Sequence, residues 1–234
     1  MSTKSVAHEE AAPAATMGEI LEYPTRKKPH GGSPTLKRLM DLLIAIPAAI
    51  FLSPGLLALA IWVYLDDGGP VIFAHTRRGK DGKPFKCLKF RTMVRDADAK
   101  LKVLLDSDPV LKAEWDKNQK LKVDPRLTKN GGFLRKYSLD ELPQLWNIIK
   151  GDMSIVGPRP IVEDEVSRYG RDIASYDALK PGVVGIWQIS GRNDTTYDER
   201  VAMDAHYAEH QTVGTDIMIL LKSIPAILCK RGAY

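Results

Sequence analysis

The sequence predicts an α+β fold that is mainly helical, with a membrane-inserted helix ahead of one cytoplasmic domain. Three observations support this prediction. Residues 42–65 form a run of about 24 residues without a charge, long enough to reach across a bilayer. Segments rich in strand-forming residues lie on either side of the turn signal Asp81-Gly82, an arrangement typical of a β-hairpin. Between residues 95 and 132 apolar residues recur at helical spacing, with Asp108-Pro109 as a break.

The composition divides the chain into three parts. Residues 1–33 contain few apolar residues, and we expect a disordered N-terminal tail because they bury too little surface to offset the entropy of ordering. They do not form a signal peptide, because Glu9 and Glu10 stand where its apolar region would begin. Residues 34–66 contain the membrane helix, and residues 67–234 form the cytoplasmic domain.

The apolar segment has two interpretations. Its length alone favours a single spanning helix. However, Pro54 removes a backbone hydrogen bond in mid-segment and kinks a helix, Ser53 can bond the carbonyl that is freed, and Pro47 adds a second interruption. Positive residues mark the cytoplasmic side, and both flanks of the segment are rich in lysine and arginine. We therefore predict a re-entrant helix that breaks at Ser53-Pro54 and returns to the cytoplasmic leaflet.

The charge balance points to anionic partners. The net charge is +5 and the isoelectric point is about 9.1, which suits phosphates or an anionic membrane surface. No base-reading motif accompanies the basic residues, so the sequence does not indicate a nucleic-acid partner. Cys87 and Cys229 match neither a metal spacing nor a disulfide framework, which is typical of a reducing compartment.

The stretch from Ser138 to Pro160 is the candidate active site. Ser138 and Glu141 have the spacing of a capping box, which predicts a helix that begins there and buries Leu142, Leu145, Trp146 and Ile149. Asp140 and Glu141 would lie in its first turn, where the helix dipole favours an ionised carboxylate and a bound phosphate. Adjacent carboxylates repel each other, which suggests a divalent cation, most plausibly Mg²⁺. Simple helix capping is the competing interpretation.

Several cations are candidates for phosphate binding. Pro158 and Pro160 fix the backbone around Arg159, whose guanidinium is suited to bidentate phosphate recognition. Lys89 and Arg91 point to one face of the second predicted strand, since strand side chains alternate. A solvated surface charge is the alternative for each of them. The helices between residues 95 and 132 either lie on the membrane surface or cover the core.

The C-terminal third contributes weaker signals. Residues 181–193 are expected to form a Gly-rich loop that approaches a ligand closely. Trp187 in it has three interpretations: stacking on a base, anchoring in lipid headgroups, or core packing. Arg200, Asp204 and Tyr207 share one face of a predicted helix. The last apolar segment predicts an amphipathic helix interrupted at Pro225.

Four ordered motifs carry a family resemblance over roughly residues 35–234. They are KFRTM from Lys89, FLRKYSLDELPQLWN from Phe133, GDMSIVGPRP from Gly151 and PGVVGIWQISGRN from Pro181. The chain resembles the bacterial sugar transferases, or small monotopic phosphoglycosyl transferases. Within them it is most similar to exopolysaccharide-initiating enzymes that load galactose-1-phosphate or glucose-1-phosphate onto undecaprenyl phosphate.

The resemblance implies a UDP-sugar donor, an undecaprenyl phosphate acceptor and a monotopic enzyme on the cytoplasmic face of the bacterial inner membrane, in contact with its lipid. It implies that Asp140 forms an aspartyl-phosphosugar intermediate, that Asp140 and Glu141 bind Mg²⁺, and that the phosphates contact Lys89, Arg91, Arg135 and Arg159. Arg200, Asp204 and Tyr207 follow the family pattern only in part, because AEHQTVGTD replaces the usual aromatic-rich motif. The resemblance determines neither which sugar is transferred nor whether the protein forms a homo-oligomer. Two alternatives are a non-catalytic assembly protein and a membrane-anchored phosphoester hydrolase.

Overall fold

The computed structural model describes residues 32–118, 121, 123–190 and 195–228. The predicted tail up to residue 31 and Cys229 lie outside the described residues. The described part is mainly helical, as predicted, and contains two small sheets, of which one is the predicted hairpin. The longer elements are α1 (Pro34–Asp67), β1 (Ile72–Arg78), β2 (Pro84–Phe90), α2 (Ala97–Ser107), α3 (Pro109–Asn118), α4 (Gly131–Lys136) and α5 (Gln144–Lys150). They continue with β3 (Ser154–Val156), α6 (Val166–Tyr169), α7 (Ile173–Asp177), β4 (Gly182–Val184), α8 (Ile186–Ile189), α9 (Tyr197–His210) and α10 (Val213–Leu228).

Helix α1 contains the apolar segment and runs through both of its prolines. The Ser33 side chain caps its start, and Gly68 ends it in the left-handed conformation that glycine adopts without strain. Ser53 Oγ donates to the Ile50 carbonyl at 2.7 Å, the carbonyl that Pro54 leaves without its usual N–H partner, as predicted. The helix is therefore continuous at Ser53-Pro54, where a break was predicted. The re-entrant path of α1 through a bilayer stays a prediction. By length and composition α1 is able to cross a membrane.

The N-terminal end of α1 is fixed to the globular domain by three charged residues. Lys37 Nζ donates to the Val156 carbonyl and to Asp216 Oδ2, at 2.9 and 2.7 Å. Asp41 is buried and accepts from two groups of β3 at 2.9 and 3.0 Å. Arg38 donates to the last carbonyls of α5. Since helix C-termini carry unpaired carbonyls and a partial negative charge, this arginine completes α5.

The C-terminal end of α1 packs on the same domain. Val63 is buried against Phe90 of β2 and Leu134 of α4. Asp66 accepts a hydrogen bond from the Asn130 amide at 3.0 Å, and Asp67 pairs with Arg91. The middle of α1 exposes large apolar side chains, among them Leu43, Ile50, Phe51 and Leu57. The helix therefore contacts one domain at both ends and leaves an apolar middle uncovered.

The predicted β-hairpin is confirmed. β1 and β2 pair antiparallel, and the register places Arg77 opposite Phe85 and Phe73 opposite Lys89. Asp81 and Gly82 have positive φ angles of 58° and 70° in the connection, as a tight turn requires. The predicted helices between residues 95 and 132 are present as α2 and α3. They break at Asp108, whose carboxylate caps α3 through two backbone amides.

The helix predicted to begin at Ser138 begins later. Ser138 adopts a left-handed conformation with φ of 55° and makes no side-chain cap, so the predicted capping box is wrong. Leu139–Glu141 forms one turn of 3-10 helix, and α5 starts only after Pro143, because proline is tolerated at a helix start and disrupts its interior. The register of the buried face changes as a result, and Trp146, predicted to be buried, is 62% exposed.

The predicted Gly-rich loop contains regular structure instead. Residues 182–184 form β4, which pairs parallel with β3, and α8 follows. A Cβ atom on Gly182 would meet Gly157 N at 2.1 Å, so both glycines are needed for the close approach of the two chains. Trp187 is buried in the main core, which confirms the core interpretation among the three alternatives. The last helix, α10, continues through Pro225 without the predicted interruption.

Candidate active site

A basic cleft lies between the hairpin, the start of α5 and the segment that follows β3. It has a volume of about 310 Å³, part of it open to solvent. Its lining combines three cations with one carboxylate, two amides and a thiol. These residues are Arg77, Cys87, Lys89, Glu141, Gln144, Arg159, Pro160, Gly182, Val183 and Gln188. Three cations against one carboxylate give the cleft an excess positive charge suited to a phosphorylated ligand.

The paired carboxylates share one ammonium group. Lys89 Nζ lies 2.6 Å from Glu141 Oε1 and 3.8 Å from Asp140 Oδ2. Sequence reasoning placed no cation between these carboxylates, but the strand β2 supplies one. Asp140 is buried, with 7% exposure, and it borders the cleft behind Lys89 without being part of the lining. A phosphoryl group that Lys89 binds would therefore lie beside the Asp140 carboxylate.

The pKa values of the two carboxyl groups shift in opposite directions. Burial raises the pKa of Asp140, with a further contribution from the neighbouring charge of Glu141, against the opposing effects of Lys89 and Arg135. Burial would also raise the pKa of Glu141, but Lys89, Arg159 and Arg77 outweigh it and hold that pKa below its usual value. Asp140 lies in the short 3-10 turn ahead of α5 and not in the first turn of that helix, where it was expected.

Arg159 lies in the cleft without a hydrogen bond or an ion pair to any described residue. Its guanidinium contacts the ring of Trp187, 5.7 Å from the centroid. The preceding Pro158 is fully buried and its carbonyl accepts from the Gly182 amide at 2.8 Å, which fixes the segment on β4. The predicted rigid presentation of Arg159 is consistent with this packing. An unpaired guanidinium in a basic cleft is available for an anionic ligand.

Two of the predicted phosphate ligands lie outside the cleft. Arg91 is buried and pairs with Asp67 at the end of α1, so it joins the hairpin to this helix. Arg135 donates from Nε to Thr92 Oγ1 at 2.9 Å, and its charge favours the ionised form of Asp140, although Arg135 is not part of the cleft lining. Lys89 and Arg159 are the predicted phosphate ligands that the structure brings together.

Arg200, Asp204 and Tyr207 lie on α9 but belong to different surroundings. Arg200 stacks on Trp187, with its guanidinium carbon 4.5 Å from the ring centroid, on the ring that Arg159 also contacts. Asp204 is buried and accepts from Tyr169 Oη at 2.8 Å; burial raises the pKa of Asp204 to about 7. Tyr207 is buried in the network around Asp216. Arg200 is therefore the member of this set nearest to the cleft.

Sequence reasoning missed three lining residues, Arg77, Gln144 and Gln188. The hairpin register would have found Arg77, because directly opposed strand residues share a face and Arg77 then lies on the face of Cys87 and Lys89. Gln144 follows Glu141 by three residues, a spacing that makes helical neighbours. Gln188 carried no signal, since its segment was interpreted as a loop.

The chain belongs to the bacterial sugar transferase family, whose model matches residues 32–230. The family model thus extends over α1 as well as the cleft. It includes every motif on which the resemblance rested, and it confirms the predicted family.

Curated relatives share about half of the matched residues. The exopolysaccharide production protein ExoY of Sinorhizobium fredii is 49% identical over 207 residues, 88% of this chain and 91% of the relative. The UDP-galactose-lipid carrier transferase of Erwinia amylovora is 50% identical over 199 residues, 85% of this chain. The undecaprenyl-phosphate galactose phosphotransferase of Salmonella typhimurium is 51% identical over 200 residues, also 85% of this chain. This chain spans 42% of the length of the latter two proteins.

Proposed function

We propose that the protein transfers a sugar-1-phosphate from a UDP-sugar to undecaprenyl phosphate and so initiates exopolysaccharide synthesis. The observation that carries this proposal is a basic cleft with an unpaired guanidinium, Arg159, next to a buried carboxylate, Asp140, whose pKa is raised. Cations suited to a diphosphate and a nucleophile suited to phosphorus are the two requirements of the reaction. The names of the relatives agree with this substrate class.

The transfer takes place in two displacements at phosphorus. In the first, an Asp140 oxygen forms a bond to the phosphorus that carries the sugar, the bond from that phosphorus to the bridging oxygen breaks, and uridine monophosphate leaves. In the second, an oxygen of undecaprenyl phosphate attacks the same phosphorus and the bond to Asp140 breaks, which regenerates the carboxylate. Lys89, Arg77 and Arg159 offset the charge on the phosphoryl oxygens. The order lets a soluble donor and a lipid acceptor use one site in turn.

Mg²⁺ fits the carboxylate pair when the donor supplies further ligands. Among the described residues no cluster of three or more His, Cys, Asp or Glu side chains has metal-binding geometry. Mg²⁺ is commonly held by one or two carboxylates plus substrate phosphates, and Asp140 with the second oxygen of Glu141 meets that requirement. When bound, the ion would polarise phosphoryl oxygens and neutralise charge. Chelation should stop turnover and added Mg²⁺ should restore it; full activity in chelator would contradict this role.

The contacts of α1 support a particular placement of the protein on the membrane. Both ends of this helix contact one globular domain, through Asp41 at one end and Val63 at the other. A helix that spanned the bilayer would place these two contacts on opposite sides of a hydrocarbon core about 30 Å thick, and the polar domain that makes both contacts would have to lie within that core. These contacts support a re-entrant, monotopic arrangement on the cytoplasmic face of the inner membrane. Cysteine labels near residues 35 and 80 should react from the same side; labelling from opposite sides would indicate a spanning helix.

Helix α10 supports the interfacial part of this arrangement. Ile217, Leu221 and Ile224 are each about half exposed and recur at helical spacing on one face, while Ile219 is buried in the core. An apolar face of this kind beside α1 suits the headgroup boundary of a bilayer. The domain would then rest on the membrane with the cleft within reach of a lipid-linked acceptor.

The experiment that tests the function compares wild-type protein with Asp140→Asn. The wild type should release uridine monophosphate from a UDP-sugar and, without lipid acceptor, retain label from the β-phosphate in a hydroxylamine-sensitive bond. Asp140→Asn should fold and bind membranes but lose at least about 10³-fold in turnover, because an amide is a poor nucleophile. An active Asp140→Asn enzyme would exclude Asp140 as the nucleophile. Lipid-linked diphosphate sugar as the product distinguishes a transferase from a hydrolase, which would release free sugar phosphate.

A further inference from the structure

We propose that Gln144 binds a hydroxyl group of the donor sugar and so contributes to sugar specificity, an inference that rests on the proposed function. Gln144 opens α5, lines the cleft and is only 3% exposed. Its carboxamide makes no hydrogen bond to any residue of the described chain. Its amide atoms are not among the buried side-chain atoms that lack a partner, so they reach the solvent of the cleft, where a ligand can replace the water that they bind.

Two other amides near the cleft are paired, which sets Gln144 apart. Asn147, one turn later on α5, accepts from one backbone group of β2 and donates to another, at 3.0 and 2.7 Å. Gln188, also in the lining, accepts from and donates to the backbone of its own segment at 2.5 and 3.2 Å. These two side chains join structural elements. The Gln144 side chain forms no hydrogen bond that joins elements of the described protein.

The hydrogen-bonding capacity of the lining side chains indicates which group of a ligand Gln144 binds. Arg77, Lys89 and Arg159 only donate hydrogen bonds, and phosphoryl oxygens only accept them, so the cations suffice for the diphosphate. The Glu141 Oε1 atom already accepts from Lys89. A carboxamide both donates and accepts, which matches a hydroxyl group. Gln144 is therefore the lining side chain suited to the hydroxyl-bearing part of the donor.

The donor carries hydroxyl groups on its sugar and on its ribose. Gln144 follows Glu141 by three residues, so it lies about one helical turn from the carboxylate pair. The phosphorus that Asp140 attacks carries the sugar, whereas the ribose is attached through the leaving phosphate. The position of Gln144 beside the attacked group assigns it to the sugar.

The test follows the logic of a double-mutant cycle, with one change in the enzyme and the other in the donor sugar. UDP-galactose, its monodeoxy-galactose analogues and the 2′-deoxyuridine analogue are compared as donors for the wild type and for Gln144→Met, with release of nucleoside monophosphate as the measurement. For one sugar position, removal of the hydroxyl should reduce kcat/KM of the wild type by at least about tenfold, because a site that binds a hydroxyl rejects a substrate lacking it. With UDP-galactose, kcat/KM of Gln144→Met should be lower than that of the wild type by a similar factor. With the analogue that lacks this hydroxyl, the two enzymes should have almost the same kcat/KM.

Lys150→Met, an exposed change on the same helix, is the matched control and should leave every ratio unchanged. Equal losses with all donors, or coupling to the ribose hydroxyl alone, would overturn the assignment. If Gln144→Met does not fold, the wild type still decides, since uniform rates with all monodeoxy sugars would overturn it. A wild type that is inactive with every nucleotide sugar would refute the proposed function instead, so the two failures are distinguishable.

Discussion

Two charged clusters lie at opposite ends of α5 and differ in how completely their groups are paired. The anchor cluster, at its C-terminal end, consists of Lys37, Arg38, Asp41, Tyr207 and Asp216. The cleft cluster, at its N-terminal end, consists of Arg77, Lys89, Glu141, Gln144 and Arg159. In the first, each charged side chain is bonded within the protein. In the second, Arg159 has no hydrogen-bonding partner and Gln144 has none at all among the described residues.

The difference separates groups that stabilise the fold from groups that bind a ligand. A buried charge is tolerated when it is paired and hydrogen-bonded, and the anchor cluster meets this condition with Asp216 fully buried. The polar groups of the cleft that have no partner in the protein are free to bind water or a ligand, and they do not join parts of the fold. Changes in the anchor cluster should therefore affect stability, and changes in the cleft cluster should affect turnover.

The largest effect on stability is expected for Lys37→Met. The change leaves the buried carboxylate of Asp216 without its cation, which should reduce the free energy of unfolding by about 3–5 kcal/mol. Thermal unfolding in detergent measures the loss, and kcat/KM of the protein that remains folded should stay near that of the wild type. Lys150→Met removes an exposed ion pair and should cost less than about 1 kcal/mol. A stable but inactive Lys37→Met protein would contradict the division between the clusters.

The opposite pattern is expected for Arg159→Lys. An ammonium group does not reproduce the planar guanidinium fork, so kcat/KM should fall by about 10²-fold, or about 2.7 kcal/mol in transition-state free energy. The unfolding temperature should be unchanged, since Arg159 forms no hydrogen bond or ion pair in the described protein. The exposed Arg171 provides a control in Arg171→Lys, which should retain full activity. Lost stability together with lost activity would show that Arg159 supports the fold as well.

The smallest effect concerns Asp204, which lies between the clusters on α9. Its folded pKa of about 7 exceeds the usual value of 3.8 because it is buried, against the opposing hydrogen bond from Tyr169 and the charges of Arg159 and Arg200. Its contribution to stability is therefore complete below pH 3.8 and is lost as pH rises through about 7. Asp204→Asn keeps an acceptor for Tyr169 and removes the titration. The variant should gain roughly 1–3 kcal/mol relative to wild type between pH 4 and pH 8, measured by thermal unfolding; a constant difference would contradict this.

The sequence was sufficient for the elements that depend on local pattern. The hairpin turn at Asp81-Gly82, the apolar helix and the role of Ser53 beside Pro54 follow from short-range rules, and the structure agrees with them. The capping box at Ser138 failed because Pro143, five residues later, sets where the helix begins. The capping-box spacing of Ser138 and Glu141 was thus less decisive than Pro143, because proline is tolerated at a helix start and disrupts a helix interior.

The site was harder to predict because its contacts come from separate parts of the chain. Asp140, Lys89 and Arg159 were identified from motifs, but the ammonium shared by two carboxylates depends on how β2 packs on the 3-10 turn. Tyr207 has the same kind of sequence signal as Arg200, and only its partner Asp216 shows that it belongs to the anchor cluster. A sequence motif identifies candidate residues. Which of these residues face a ligand depends on the distances between separate segments, and a motif does not contain those distances.

The contacts of Arg38 bear on attempts to obtain a water-soluble version of the enzyme. The carbonyls of Ile148 and Ile149 near the end of α5 accept hydrogen bonds, at 2.5 and 2.6 Å, from this arginine in the second turn of α1. A truncated protein that begins at Gly68 would also lose Lys37 and Asp41. The Ile149 carbonyl at the end of α5 would lose its hydrogen bond from Arg38, and the Ile148 carbonyl would keep only the Gly151 amide. The first three turns of α1 belong energetically to the domain, so solubilisation has to replace the exposed apolar side chains beyond Ala45 and keep the residues before it.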